Sequence, residues 1–196
     1  MLTIDGLKEA LRNAQSEIEA NKDTLTDLDR AIGDGDHGIN MSRGFEAVVS
    51  VLDDDYDSLG ALSKKVGMTL MAKVGGAAGP LYGSAFVKAA TAFGDAEEAD
   101  FALVKSALEE GAAAIKARGK SEVGQKTMVD VWEPFLNELN DSDDYVAKLD
   151  ELVQDTEDMK ATKGRASYFG DNSRGTIDPG AMSSAIVLKA IMKEVG

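Results

Sequence analysis

Three aspartates, three glycines and the only histidine of the chain lie close together between Asp29 and Gly38. Carboxylates at this density repel one another unless a cation lies between them. The glycines allow the loop to curl, so that Asp34 and Asp36, which would otherwise point to opposite sides, can face one point. The stretch therefore predicts a cation site with Asp29, Asp34 and Asp36 as ligands. The plainer alternative is a Gly-Asp turn whose aspartates cap helices.

The composition restricts which cation this can be. The 196 residues contain no cysteine and one histidine, which excludes disulfides, thiol catalysis, cysteine-based zinc sites and any site with several histidines. The remaining candidates are metals that prefer oxygen ligands, namely Mg²⁺, Mn²⁺ and Ca²⁺. A calcium-binding EF-hand loop would need a glycine and a distal glutamate at other positions. We therefore expect magnesium.

The charge of the chain restricts its partners. It carries 35 acidic and 21 basic residues, a formal net charge of −14, which argues against nucleic acid or an anionic membrane as a partner. The N-terminus lacks the basic-then-apolar pattern of a signal peptide, and no apolar run approaches the roughly 18 residues that a membrane span needs. We expect a cytoplasmic protein.

Apolar residues recur at helical spacing through almost the whole chain, and no segment alternates convincingly as a strand. The pattern predicts an all-α fold in one domain over residues 1–196, with about eight helices joined by short turns and antiparallel to their sequence neighbours. Residues 21–23 interrupt the first helix, and Pro134 predicts a kink or a late start of the sixth. The predicted helices span 4–32, 41–52, 59–74, 82–93, 101–115, 128–139, 145–159 and the residues from 178 onward.

Four of the predicted turns are rich in glycine, whereas the others are acidic. In an up-and-down arrangement alternate turns lie at the same end, and the glycine-rich turns follow the first, third, fifth and seventh helices, so we predict one functional pole. Backbone N–H groups and helix N-termini at such a pole favour phosphate. Because the aspartates alone would repel phosphate, two divalent cations bridging them to a diphosphate would balance the charge. The four turns are 33–40, 75–80, 119–126 and 164–180.

Several single residues have both a functional and a plainer interpretation. His37 is a general base, a residue that orients the metal-bound carboxylates, or a nucleotide contact, and we favour the last. Arg165, in a glycine-flanked loop, is either a surface cation or the group that stabilises transferring phosphoryl charge. Lys163 and Arg174 have the same two interpretations, but the argument for a functional role is weaker for them than for Arg165. Met128 is a core residue or packs on an adenine ring.

The motifs reached so far resemble the dihydroxyacetone kinase L family, the nucleotide-binding subunit of bacterial dihydroxyacetone kinase. The resemblance covers essentially the whole chain, with four motif regions in the same order, which makes it specific. It implies a barrel of eight antiparallel helices with a nucleotide and two Mg²⁺ ions at one end. The matching stretches are Asp29–Gly38, Gly75–Gly83, Gly124–Asp130 and Thr162–Tyr168 through Asp178–Ala181.

The resemblance also implies roles for individual residues. Asp29, Asp34 and Asp36 would be the metal ligands. Arg165 would contact the nucleotide, and its position in the glycine-flanked loop makes it our candidate catalytic residue. The other implied nucleotide contacts are His37, Gly38, Ile39, Asn40, Ala77, Ala78, Gly119, Met128, Asp178, Pro179 and Gly180.

A stand-alone L chain resembles the enzymes coupled to the phosphotransferase system. In these, ADP stays bound as a cofactor, a phosphohistidine on an M subunit converts it to ATP, and the phosphoryl group passes to dihydroxyacetone on a separate K subunit. The chain departs from many relatives at Ala78, where they carry serine, and over Asp171–Arg174. The alternatives are a non-catalytic nucleotide-binding partner, for example of a transcriptional regulator, and a kinase domain for another acceptor such as a fatty acid.

Overall fold

A computed structural model of the chain describes residues 1–141 and 144–196. These residues form nine α-helices, one 3-10 helix and one pair of two-residue strands, so the predicted all-α fold is confirmed. The predicted turn at 140–144 includes Ser142 and Asp143, which lie outside the described residues. The elements are β1 (Leu2–Thr3), α1 (Ile4–Ala20), α2 (Lys22–Ile32), α3 (His37–Val49), α4 (Leu59–Lys73), α5 (Ala78–Phe93), β2 (Glu98–Ala99), α6 (Phe101–Gly119), α7 (Val129–Glu138), α8 (Tyr145–Asp155), the 3-10 helix Arg165–Ser173, and α9 (Pro179–Lys193).

The helix count differs from the predicted eight because the first predicted helix is two helices. The break falls at Asn21, whose side-chain amide donates a 2.8 Å hydrogen bond to the carbonyl of Glu17. A short amide side chain that bonds to the backbone in this way competes with helix continuation. Helices α1 and α2 both pack against α3 and α9, so together they take one position in the arrangement.

Three further details depart from the sequence-based expectation. The segment expected to be irregular, 161–178, contains the 3-10 helix. Leu2 and Thr3 pair antiparallel with Ala99 and Glu98 where no strand was expected. Helix α7 does not start late but runs from Val129 to Glu138 with Pro134 inside it.

The helices pack in a closed ring. Each helix from α3 to α9 contacts its sequence neighbours, and α9 returns to contact α1 and α2. The ring encloses one apolar core to which all sides contribute, including the buried side chains of Leu11, Phe45, Tyr82, Trp132 and Leu188. Within the described part of the chain, no helix is both long and apolar enough to cross a membrane.

The ring places the glycine-rich turns at one end. Residues from all four turns line a single cavity there, as the alternation of the turns predicted. Helices α3, α5, α7 and α9 begin at this cavity, whereas α2, α4, α6 and α8 end towards the same pole.

Candidate functional site

The cavity at the glycine-rich pole has a volume of about 200 Å³. Its walls come from the end of α2, the starts of α3, α5, α7 and α9, and the segment after α8. All seven of the charged side chains in its lining come from the predicted motifs. They are Asp29, Asp34, Asp36, Lys126, Lys163, Arg165 and Asp178.

Asp29, Asp34 and Asp36, here called the aspartate cluster, converge at one side of this cavity. Each offers a carboxylate oxygen, and the three oxygens lie within 4.8 Å of one another. Asp29 is 9% exposed, whereas Asp34 and Asp36 are exposed. The donor set contains oxygen only, and its spacing leaves room for a hard divalent cation, so the residues fit magnesium.

Asp29 is held in place by the helix that follows it. Its Oδ2 accepts hydrogen bonds from the backbone N–H groups of Asp36, at 2.8 Å, and His37, at 3.0 Å, and so caps the start of α3 from seven residues upstream. Gly33 permits this arrangement, because a Cβ atom at this position would overlap Asp29 Oδ1. One oxygen of Asp29 is therefore structural, and the other remains for a cation.

Asp36 is oriented by Asn40. Arg43 donates to Asn40 Oδ1 at 2.9 Å and to the carbonyl of Lys73 at 3.0 Å, which leaves the Asn40 amide N–H groups for the Asp36 carboxylate. Burial and then the charges of Asp34 and Asp29 raise the pKa of Asp36, although the Asn40 hydrogen bond opposes the shift. Mutual repulsion of this kind is what a bound cation would relieve.

Among the described residues, carboxylates cap α3 and α9 and bind the turn before α7, whereas the start of α5 has no carboxylate partner. Asp29 caps α3, Asp178 accepts from the N–H of Ala181 in α9, and Asp130 accepts from the N–H groups of Gly124 and Thr127 before α7. Helix α5 begins after Ala77 with no side-chain cap. Its first N–H groups are therefore available to an anionic ligand.

Arg165 lines the cavity and contacts the aspartate cluster. Its Nη1 atom is 2.7 Å from Asp34 Oδ2, with 67% of the arginine side chain exposed. It belongs to residues 157–175, here called the arginine loop, which also brings Lys163 to the cavity wall. Arg174 lies outside the wall, donates to the carbonyl of Asp158 and approaches Asp171 at 3.8 Å.

His37 is the first residue of α3 and lines the cavity. Its Nε2 lies 2.9 Å from Ser183 Oγ, and Ser183 Oγ lies 2.7 Å from the buried hydroxyl of Tyr82, which also contacts Ser184. Burial lowers the pKa of His37 to about 4, against the opposing effect of Asp29, so the ring is neutral at physiological pH. Burial of the Tyr82 hydroxyl likewise raises the pKa of Tyr82.

Asp178 and Lys126 are buried charged residues at the cavity. Burial raises the pKa of Asp178 to about 7, although the hydrogen bond from Ala181 opposes the shift. Lys126 is 1% exposed; it lies in one of the matching motifs, but the sequence predicted no role for it. A lysine in a glycine-containing turn was the available signal, but its burial cannot be read from the sequence.

The other predicted nucleotide contacts divide into two groups. Asn40, Ala77, Ala78, Met128, Pro179 and Gly180 line the cavity together with the residues described above. Gly38, Ile39 and Gly119 do not belong to its lining. Gly38 packs against α2, where a Cβ would overlap the carbonyl oxygen of Lys22, and Ile39 is 53% exposed.

Comparison with known proteins gives consistent matches. The model of the DAK2 domain family matches residues 31–193. The chain is 46% identical, over 93% of its length and 92% of the relative's, to the PEP-dependent dihydroxyacetone kinase 1, ADP-binding subunit DhaL, of Listeria innocua. It is 45% identical, over the full length of both chains, to the PTS-dependent dihydroxyacetone kinase, ADP-binding subunit DhaL, of Lactococcus lactis.

A solved structure has the same fold. The crystal structure of the dihydroxyacetone kinase from C. freundii in complex with AMP-PNP and Mg²⁺ superposes with a TM-score of 0.74 over 95% of this chain, at 24% identity. The chain spans about a third of the length of that protein, 33%. At this identity the likeness concerns the fold.

Proposed function

Because the chain belongs to the DAK2 domain family, we propose that it is the ADP-binding subunit of a phosphoenolpyruvate-dependent dihydroxyacetone kinase. The two relatives described above carry this function in their names and align with nearly all of the chain. The reaction is a phosphoryl transfer to dihydroxyacetone, in which this chain holds the nucleotide.

The observation that carries the proposal is the pairing of two opposite features in one cavity. The aspartate cluster supplies three carboxylate oxygens within 4.8 Å, and the uncapped start of α5 supplies backbone donors. A ligand that satisfies both must contain anionic groups and bring cations with it. A nucleoside diphosphate with magnesium has this composition.

The residues of the cavity have separable tasks in this proposal. The aspartate cluster would hold two magnesium ions, and the first N–H groups of α5, with Lys163, would bind phosphate oxygens. The ion pair with Asp34 keeps Arg165 beside the aspartate cluster, where its guanidinium would stabilise negative charge on a phosphoryl group. When bound, the magnesium nucleotide would supply the phosphoryl carrier and screen its charge.

The chain would work with two other subunits. A K subunit would present dihydroxyacetone, and a phosphohistidine-carrying M subunit would deliver the phosphoryl group. The exposure of Arg165, 67% of its side chain, places it where an approaching partner can contact it. This position suits a site that transfers a group between proteins.

Mass spectrometry and metal analysis of the freshly purified chain test the first part of the proposal. We expect ADP and Mg²⁺ to copurify. After both are stripped, adding magnesium ADP should raise the melting temperature by mass action. An unchanged melting temperature at millimolar magnesium ADP would contradict nucleotide binding.

Reconstitution tests the transfer. The chain is combined with K and M subunits and the phosphoenolpyruvate-driven donor proteins, and dihydroxyacetone phosphate is measured. We expect product with the wild type and with Asp150→Asn, a surface aspartate paired with Lys189, but not with Asp34→Asn. Nucleotide binding without product would contradict the catalytic role and leave a binding role.

A further inference from the structure

Lys126 is almost completely enclosed, with 1% of its surface exposed, although it lies at the wall of the cavity. Its Nζ atom donates hydrogen bonds to the backbone carbonyls of Glu157, at 3.2 Å, Met159, at 3.1 Å, and Ser173. An ammonium group has three protons, and three carbonyls receive them. Lys126 therefore has no donor left for a phosphate or a carboxylate.

The three carbonyls belong to the two ends of the arginine loop. Glu157 and Met159 lie where the loop leaves α8, and Ser173 lies where it returns towards α9. The loop is also closed by the N–H of Gly175 donating to Glu157 at 2.8 Å, and by the N–H of Ala161 donating to Ser173 Oγ at 2.8 Å. Arg165 lies between these ends.

The backbone of Lys126 is fixed as firmly as its side chain. Its φ of 60° is in the left-handed region, which costs a residue with a Cβ about 1 kcal/mol and persists only where surrounding contacts enforce it. Asp130 provides these contacts by accepting from the N–H groups of Gly124 and Thr127. In addition, the N–H of Thr162 in the arginine loop donates to the carbonyl of Gln125 at 3.2 Å.

We propose that Lys126 is a positioning residue, which clamps both ends of the arginine loop to the turn before α7 and thereby holds Arg165 beside the aspartate cluster. Thr127 and Met128, the next two residues, line the cavity. The clamp therefore sets the distance between the cavity wall just before α7 and the loop that carries Arg165. Desolvation lowers the pKa of Lys126, and the three carbonyl partners favour its charged form.

The kinetic consequence rests on the proposed function, whereas the effect on the loop does not. The test compares Lys126→Met, which keeps the length of the side chain without its donors, with Lys160→Met. Lys160 lies in the same loop but makes only an exposed ion pair with Asp171 at 3.1 Å, which is worth little. Hydrogen exchange measured by mass spectrometry follows residues 157–175 in the whole chain.

We expect Lys126→Met to accelerate exchange in the arginine loop at least roughly tenfold, because hydrogen bonds to a charged group are lost, with α1 to α5 unchanged. In the reconstituted enzyme, kcat should fall by a similar factor while the dissociation constant for magnesium ADP changes little. Lys160→Met should match the wild type in both measurements.

Three results would overturn the proposal. Unchanged exchange in the arginine loop of Lys126→Met would exclude the clamp. Unchanged kcat despite faster exchange would exclude a positioning role. A weakened affinity for magnesium ADP with normal kcat would make Lys126 a ligand contact.

A second variant covers the case in which Lys126→Met does not fold. Lys126→Arg keeps the charge and donors but not the single point at which the three carbonyls meet, and we expect an intermediate rise in exchange and an intermediate fall in kcat. Wild-type values in Lys126→Arg would then overturn the proposal. If the wild type itself yields no product, the exchange measurement still decides whether Lys126 clamps the loop, and only the proposed function fails.

Discussion

The carboxylate of Asp29 accepts a hydrogen bond from the backbone N–H of Asp36 across 2.8 Å, so one member of the aspartate cluster holds the backbone of another. Asp29 also accepts from the N–H of His37. The end of α2 and the start of α3 are thereby joined at the point where the three carboxylates converge. Asp29 therefore has a structural task that Asp34 does not share.

This difference predicts that two alanine variants differ in stability when no metal is bound. In metal-free protein, Asp29→Ala removes the cap of α3 and should cost about 1–2 kcal/mol, or roughly 2–4 °C in melting temperature for each kcal/mol. Asp34→Ala loses an exposed ion pair with Arg165 and also removes the charge repulsion with Asp36, so it should melt close to the wild type. Both should lose the stabilisation by magnesium ADP. Differential scanning fluorimetry with and without the ligand measures each effect, and wild-type stability of Asp29→Ala would contradict the cap.

A second prediction concerns the uncapped start of α5, where an added carboxylate should change both stability and nucleotide affinity. Ala77→Asp places a carboxylate where Ala77 now provides no cap, and should stabilise the ligand-free protein by about 0.5–1 kcal/mol through the helix N-terminus. The same carboxylate should weaken binding of magnesium ADP at least roughly tenfold, because it occupies the donors and repels phosphate. Calorimetric titration measures the affinity, with Ala77→Ser as the uncharged control. Undiminished affinity in Ala77→Asp would place the phosphates elsewhere.

Arg165 should act more on the transfer than on binding. Removing it in Arg165→Ala should lower kcat by about a hundredfold or more, as for other groups that stabilise phosphoryl charge, while the dissociation constant for magnesium ADP changes several-fold at most. Lys189→Ala, which disrupts a surface ion pair with Asp150, serves as the control. Were the affinity to fall with kcat unchanged, Arg165 would be a phosphate anchor only.

Asp178 predicts a pH dependence of stability in the ligand-free protein. Its pKa is about 7 in the folded state and about 3.9 when unfolded, so between these values the folded state binds more protons. Stability is therefore lost as the pH rises from about 4 to 7, by at most about 4 kcal/mol. Asp178→Asn lacks this loss, so its advantage over the wild type should grow with pH.

Urea unfolding at pH 5 and pH 8 measures the effect as the difference between the two proteins. His37, whose pKa is lowered to about 4, contributes in the opposite direction, since stability linked to it rises with pH up to its unfolded value of about 6.5. Because His37 is present in both proteins, its contribution cancels. An equal pH dependence of the two proteins would contradict the raised pKa of Asp178.

Much of the fold and of the site could be predicted from the sequence, because these features depend on local patterns. Helical periodicity predicted all of the main helical segments, and the order of glycine-rich turns predicted that the turns containing Asp34, Ala77, Lys126 and Asp178 would meet at one pole. Both inferences need only the period of a helix and the alternation of its direction. The break at Asn21 was recognised as an interruption but not as a boundary between two helices, since its effect depends on one side-chain hydrogen bond.

By itself, the sequence determined the helical class, the position of the carboxylates in one glycine-containing stretch, and the motifs of the cavity wall. Only the tertiary structure decided which oxygen of Asp29 is already hydrogen-bonded, that the N-terminus of α5 has no side-chain cap, and that Lys126 donates to three carbonyls of the arginine loop. These are hydrogen bonds between groups up to 47 residues apart, as between Lys126 and Ser173. A repeating pattern records which face of a helix is buried, but the partner of a buried polar group depends on how the whole chain packs.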